Sequence, residues 1–306
     1  MEGNQEITNP DQIRDSTASH FQNLLSGHVT QSGTHDFPFQ FSKTPTEVGH
    51  NICSIPSEED MKDIVFSIDK ESMAGPEGFS SAFYQACWEF ISRDIYDAAR
   101  DFFRGTPMPR SFSATTIVLI PKVDSPQTWN DFRPISLCNV TNKILSKLLY
   151  MKISQALPDL ISPSQCGFVP GRLICDNILM VQEMIHHLDL KYKNNNLIIK
   201  LDMSKAYDRV NWAFLFIVMQ KMGFPPKFLT LIKHAIQNCW FTVLVNEEAT
   251  GFFKSTQGLR KGDPISPALF ILAAEAFSKG MDFLYILTHI CSTRPNMQSS
   301  SHTSHM

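Results

Sequence analysis

Apolar residues recur at helical or strand spacing along most of the 306-residue chain. Asn9-Pro10-Asp11 opens a first helix, with Pro at the first helical position, where its missing N–H leaves nothing unpaired. Ile13, Phe21, Leu24 and Leu25 follow on one face, and Gly27 closes the element. Residues 28–56 carry Ser, Thr, Gly, Pro and His without periodicity and read as a loop or linker. Ser57-Glu58-Glu59-Asp60 has the form of a capping box, and Met61, Ile64, Val65 and Ile68 then repeat at helical spacing. A turn around Gly75-Pro76 and Gly78 leads into one long amphipathic helix over 81–104. Residues 115–120 form a β-branched strand stopped by Pro121-Lys122, and a loop runs on to Pro134. Helices are predicted near 139–157, from Asp176 to about 193, over 211–222 and over 225–237. Among them, 197–201 reads as an apolar strand that delivers Asp202 at its C-terminal end. Residues 241–245 and 251–254 flank a five-residue hairpin connection, 246–250. Ser266-Pro267 starts a last helix to about 285, and the Ser/His/Thr-rich tail, 291–306, reads as disordered. The fold class is α+β, with helices packed on a small antiparallel sheet.

Composition narrows the class. Apolar residues make up 43% and charged residues 19%, a globular balance. The seven Cys are odd in number and no two are spaced C-x-x-C, which argues against a secreted disulfide scaffold and a structural zinc site. Met1 begins no basic-then-apolar leader, and the longest uncharged apolar stretch, 264–274, is too short to span a bilayer. The reading is an intracellular protein of the nucleus or cytoplasm without a membrane segment. The net charge of −3 conceals a gradient. Residues 1–103 hold 6 basic and 17 acidic side chains, 104–172 hold 8 and 3, and 173–306 hold 13 and 10. A basic middle is either a solvated face or a track for a phosphate backbone.

Three features could carry chemistry. The first is Leu201-Asp202-Met203-Ser204-Lys205-Ala206-Tyr207-Asp208. A carboxylate at a strand end can hold Mg²⁺, with the Met203 carbonyl as a further ligand, or it can cap the next helix. The second is Gln257-Gly258-Leu259-Arg260-Lys261-Gly262-Asp263, whose glycines permit close backbone approach and whose cations precede a helix start. It suits phosphates or a template strand, or it merely connects a hairpin to a helix. The third is a set of cations on or beside loops: Lys122, Arg133 beside Phe132, and Arg172 in Gly167-Phe168-Val169-Pro170-Gly171-Arg172. Cations next to aromatic rings suit backbone contacts with base stacking.

Taken together and in this order, the features resemble a reverse transcriptase of the non-LTR (LINE-type) retrotransposon kind, in wording closest to the elements of plants. Leu119-Ile120-Pro121-Lys122 and Phe132-Arg133-Pro134-Ile135-Ser136-Leu137 resemble fingers segments. The 167–172 loop resembles a template-facing segment, 200–210 resembles palm motif A, and 258–267 resembles motif B. The resemblance implies a right-hand polymerase fold. In this chain, 1–56 would be an N-terminal helix and linker, 57–196 the fingers, 197–290 a partial palm and 291–306 a tail, with the thumb missing. It implies RNA-templated DNA synthesis with Mg²⁺ (or Mn²⁺), an RNA template, a DNA primer and deoxynucleoside triphosphates. By position, Asp202 would be catalytic and a metal ligand, with Met203 beside it. Lys122 and Arg133 would hold the triphosphate, and Tyr207 would lie under the sugar. Gln257 and Gly258 would line the nucleotide site, and Gly167, Arg172, Arg260 and Gly262 would face the template. The family's next element bears an Asp-Asp pair that completes the metal site, and this chain has no Asp-Asp pair anywhere. The chain is therefore expected to be a truncated, inactive member. The alternative is a non-catalytic RNA-binding remnant that uses its basic fingers loops.

Overall fold

The computed structural model describes residues 6–27, 36–186 and 200–292. The first helix, α1 (Pro10–Leu25), begins as its cap dictates: Asn9 Oδ1 accepts the N–H groups of Asp11 and Gln12 at 2.9 and 3.3 Å. A short helix, α2 (Thr46–Ile52), stands inside the segment read as linker, and Ile52 is buried. Its seven residues are too few to show a period, and tertiary burial supplies what propensity does not. In α3 (Glu58–Phe66) the Ser57/Asp60 capping box is complete in both directions. The long helix expected over 81–104 is two helices, α4 (Ser81–Ala86) and α5 (Trp88–Arg104), broken at Cys87. Gln85 explains the break. Its buried amide donates to the Val65 and Ile68 carbonyls at 3.0 and 2.8 Å, turning α4 onto the C-terminus of α3.

A single turn, α6 (Arg110–Ser113), leads into β1 (Ala114–Pro121). The stretch expected as a loop up to Pro134 contains the start of a second strand, β2 (Phe132–Cys138), antiparallel to β1 with Ile120 opposite Arg133. Pro134 is tolerated because β2 is an edge strand, where a missing N–H breaks no inner ladder. Helices α7 (Val140–Ser154), α8 (Leu157–Leu160), α9 (Ile174–His186), α10 (Trp212–Lys221) and α11 (Pro226–Gln237) follow. The strand expected at 197–201 lies mostly outside the described residues, and Lys200 and Leu201 themselves are not in a strand. The hairpin β3 (Trp240–Val245) and β4 (Glu248–Lys254) turns on two residues rather than five. Asn246 and Glu247 take φ of 48° and 67°, the geometry of a tight type I′ connection. The last helix, α12 (Ser266–Ser292), runs beyond the expected end. The tail from 293 lies outside the described residues.

The sheet order is β2-β1-β3-β4, and β1 pairs with β3 in parallel. The expectation of an antiparallel sheet is therefore corrected to a mixed one. The crossover from β1 to β3 is long and carries helices, which is the connection that parallel neighbours require. One face of the sheet packs on α1, with Phe21, Leu25, Ile117, Phe241, Val243 and Phe253 as a small core. Most other buried apolar residues form a larger core around α7, α10, α11 and α12. Ion pairing of Arg14 with Glu248, and a 3.0 Å bond from Trp129 Nε1 to Ser16 Oγ, tie α1 to the sheet and its loop.

Candidate nucleotide and nucleic-acid site

The site is built where β1 ends and β2 begins. Lys122 follows Pro121, and its ammonium donates to the Asn130 carbonyl at 2.7 Å, bracing the loop between the two strands. Arg133 lies exposed near the start of β2 and has no ion pair among the described residues. Along the outer edge of β2, the Ser136 N–H donates to the Lys261 carbonyl at 2.9 Å, fastening the 257–265 loop to the sheet. A 3-10 turn, Tyr207–Arg209, packs against that loop through Leu259 N–H to Tyr207 O at 2.8 Å. The result is one cavity of about 280 Å³ shared by Lys122, Arg133 and Tyr207, with Lys205, Asp208 and Lys261 also on its wall.

Its electrostatics favour an anion. Lys261 Nζ sits 2.6 Å from the buried Asp208 carboxylate, a pair that accounts for one negative charge. Burial lowers the pKa of Lys205, Asp208 opposes that shift, and the like charges of Arg209, Lys122 and Lys261 add to it. Clustered cations of this kind gain when an anion joins them. Tyr207 forms the apolar floor: its ring stacks on Phe270 of α12 with centroids 4.9 Å apart and 12° between planes. Burial raises its phenol pKa.

Gln257 and Gly258 are not on the wall of this cavity but line an adjoining one. Gln257 Nε2 donates to the Leu24 carbonyl at 3.0 Å, at the end of α1. Gly258 adopts φ +85°, and a Cβ there would stand 2.7 Å from the Asp208 carbonyl oxygen, so only glycine fits this crossing. Its carbonyl accepts Trp212 Nε1 at 2.7 Å. Both residues line a second cavity of about 20 Å³, room for about one water. Arg260 is buried: its side chain is 4% exposed, paired with Asp263 at 2.5 Å and bonded to the Ala235 carbonyl at 3.1 Å. Burial alone would lower its pKa, yet Asp263 holds it above the ordinary value. Arg260 thus braces the loop from within, and only Gly262 of this group is exposed.

Arg172 is also occupied. Its guanidinium donates to four carbonyls, those of Pro158, Ile161, Ser162 and Gln165, at 2.7 to 2.9 Å. These include carbonyls left open after the short helix α8. Ser162 in turn donates its N–H and hydroxyl to Glu275, a buried carboxylate on α12, at 3.1 and 2.5 Å. The loop holding half-buried Gly167 is welded to α12 by this relay. Sequence reasoning offered Lys261 as a free cation for phosphates rather than as the partner of Asp208, quoted Lys205 without giving it a role, and missed Glu275. The first two stand beside motif residues already singled out, while Glu275 has no local signal.

Asp202 and Met203 are exposed. Among the described residues no three His, Cys, Asp or Glu side chains gather to hold a metal ion. Asp208 and Asp263, two further carboxylates of the motif segments, are held by Lys261 and Arg260. The described residues therefore do not fit a divalent metal by themselves. No helix among the described residues is long and apolar enough to cross a membrane.

A cation-walled cavity with an aromatic floor, set beside a mixed sheet, suits a nucleotide-handling protein. Residues 120–290 match the family model described as Reverse transcriptase (RNA-dependent DNA polymerase), and the chain belongs to that family. It is a reverse transcriptase domain of the non-LTR retrotransposon kind, and such polymerases use divalent metal ions. It is 25% identical over 277 residues, 89% of this chain and 21% of the relative, to the transposon TX1 uncharacterized 149 kDa protein of Xenopus laevis. It is 27% identical over 168 residues, 55% of this chain and 16% of the relative, to the retrovirus-related Pol polyprotein from type-2 retrotransposable element R2DM of Drosophila melanogaster. It is 24% identical over 251 residues, 82% and 24%, to that from type-1 retrotransposable element R2 of Nasonia vitripennis. The matched stretches span about a quarter or less of these relatives' length.

Proposed function

We propose that this polypeptide is a reverse transcriptase domain that binds a deoxynucleoside triphosphate and nucleic acid but, alone, does not extend a primer. One observation carries the reading: Tyr207, more than 70 positions further along the chain, shares one cavity with Lys122 and Arg133 of the β1–β2 loop region. Lys122, Arg133 and Lys205 would take the triphosphate, and Tyr207 would support the sugar from its rigid seat on Phe270. Lys261 stays with Asp208 and shapes the wall. Gln257, Gly258 and Arg260 support the 257–265 loop from behind, and Gly262 offers backbone at the sheet edge. RNA template and DNA primer are the proposed partners, with 57–196 as fingers and 197–290 as part of the palm. Asp202, an exposed carboxylate in the segment that resembles motif A, would be a metal ligand, with the Met203 carbonyl beside it. A single carboxylate cannot clamp two cations about 4 Å apart, so primer extension is absent from this chain alone.

The test has two arms. Binding of a fluorescent deoxynucleoside triphosphate is measured for the 306-residue chain and for Lys122→Ala and Arg133→Ala. Each loss is expected to weaken binding roughly 10-fold, the scale of a charge-assisted bond of about 1.4 kcal/mol or more. Equal binding by all three would sink the nucleotide reading. In the second arm, primer extension on an RNA template with Mg²⁺ or Mn²⁺ should equal that of Asp202→Ala. Extension by the parent but not the variant would refute the inactivity.

A further inference from the structure

The two faces of the sheet differ. On the inner face Ile117, Phe241, Val243 and Phe253 are 0–5% exposed beneath α1. The outer face stays open: Ile120 is 49% and Phe252 58% exposed, and no outward position of any strand is acidic. Its cations are Arg133 at one end and Lys254 and Arg110 at the other. The far end is an aromatic stack. The Trp240 and Phe252 rings lie 4.8 Å apart at 15°, and the Arg110 guanidinium sits 4.4 Å from the Trp240 centroid. Thr116 and Thr242 hydroxyls, 3.4 Å apart, cross the middle.

We infer that this outer face is a second binding platform, one that takes single-stranded nucleic acid. Arg133, opposite Ile120, and Trp240, opposite Ala114, lie at diagonal corners of this face: two strand spacings of about 4.8 Å across and six residues of about 3.3 Å along, roughly 22 Å in all. A strand laid across would place phosphates near Arg133, Lys254 and Arg110, and a base on the free face of Phe252. Aromatic rings ready to stack, with cations around them and no acidic residue at an outward strand position, suit a polyanion with flat bases. A protein partner with a hydrophobic footprint would leave three cations to be desolvated without counter-charge. The platform rests on the nucleic-acid reading above and extends it away from the nucleotide cavity.

The experiment is fluorescence anisotropy of a labelled single-stranded RNA of about 12 nucleotides, and of its DNA counterpart, with the full chain. Phe252→Ala should weaken binding roughly 5- to 150-fold, the scale of one lost base stack, while Phe252→Tyr retains it. Arg110→Ala with Lys254→Ala should flatten the slope of log affinity against log salt by roughly 1.4, about 0.7 for each phosphate contact. Urea melts confirm that Phe252→Ala stays folded, since its ring is mostly exposed. RNA binding unchanged by Phe252→Ala overturns the platform, as does self-association that this variant abolishes. Nucleotide binding is measured in parallel with Lys122→Ala. If it survives while the platform fails, the nucleotide reading stands. If the platform effects appear without nucleotide binding, only the cavity reading falls.

Discussion

Replacing Arg172 with Ala should act on stability rather than on RNA affinity. The guanidinium makes four bonds to carbonyls, each 2.7 to 2.9 Å. A typical intramolecular bond is worth about 0.5–1.5 kcal/mol net, so four give roughly 2–6 kcal/mol. The side chain is half-buried, and water can replace some of these partners, so about 3 kcal/mol is the expected loss. At a urea slope of about 3 kcal/mol/M, the midpoint falls by about 1 M with the slope unchanged. Arg172→Lys should recover under half, because an ammonium cannot reach four carbonyls at once. The 167–172 loop should loosen as well, speeding chymotrypsin cleavage after exposed Phe168. RNA binding by the folded variant should keep its salt slope. A loss under about 1 kcal/mol, or a slope flatter by about 0.7, would show that Arg172 is a phosphate contact after all.

Two further outcomes test the packing around the site. Gly258→Ala must accept a positive φ and a Cβ 2.7 Å from the Asp208 carbonyl oxygen, and should cost about 2–4 kcal/mol in the same urea assay. A loss below about 1 kcal/mol would mean that the turn can shift. Glu77 gives a pH dependence. Burial raises its pKa above the ordinary 4.5, against bonds from Val140 N–H and Thr141 that favour the carboxylate. The folded state therefore binds its proton more tightly than the unfolded state. The resulting stability is complete below pH 4.5 and is lost as pH rises through the folded-state value. The stability of the parent relative to Glu77→Gln should fall from pH 4 toward neutrality, and a rise would contradict the sign.

Local chemistry explains what was legible in the sequence. Asn9 and Pro10 start α1, Ser57 and Asp60 start α3, and the β-branched run at 115–120 makes β1, because caps and periodicity act within a turn or two of chain. The motif residues Lys122, Arg133 and Tyr207 were identifiable as candidates, and the family followed from the segments 119–122, 132–137, 167–172, 200–210 and 258–267 taken together. Other outcomes depended on partners distant in sequence. Pro134 hid β2, since only the sheet order reveals that its strand is an edge. The parallel pairing of Ile117 with Val243 joins segments that no local rule connects. Gln85 broke a helix by reaching the carbonyls of α3, and Asn246-Glu247 closed the hairpin once the strand ladder required a tight turn. Charge was the least legible property. Arg172 and Arg260 look like Arg133 in sequence, yet half-buried Arg172 is spent on four carbonyls and buried Arg260 on a carbonyl and a carboxylate, while Arg133 stays exposed. Residue type supplied the cations. Burial, which is settled only when distant segments pack, decided which of them remain free for an anion.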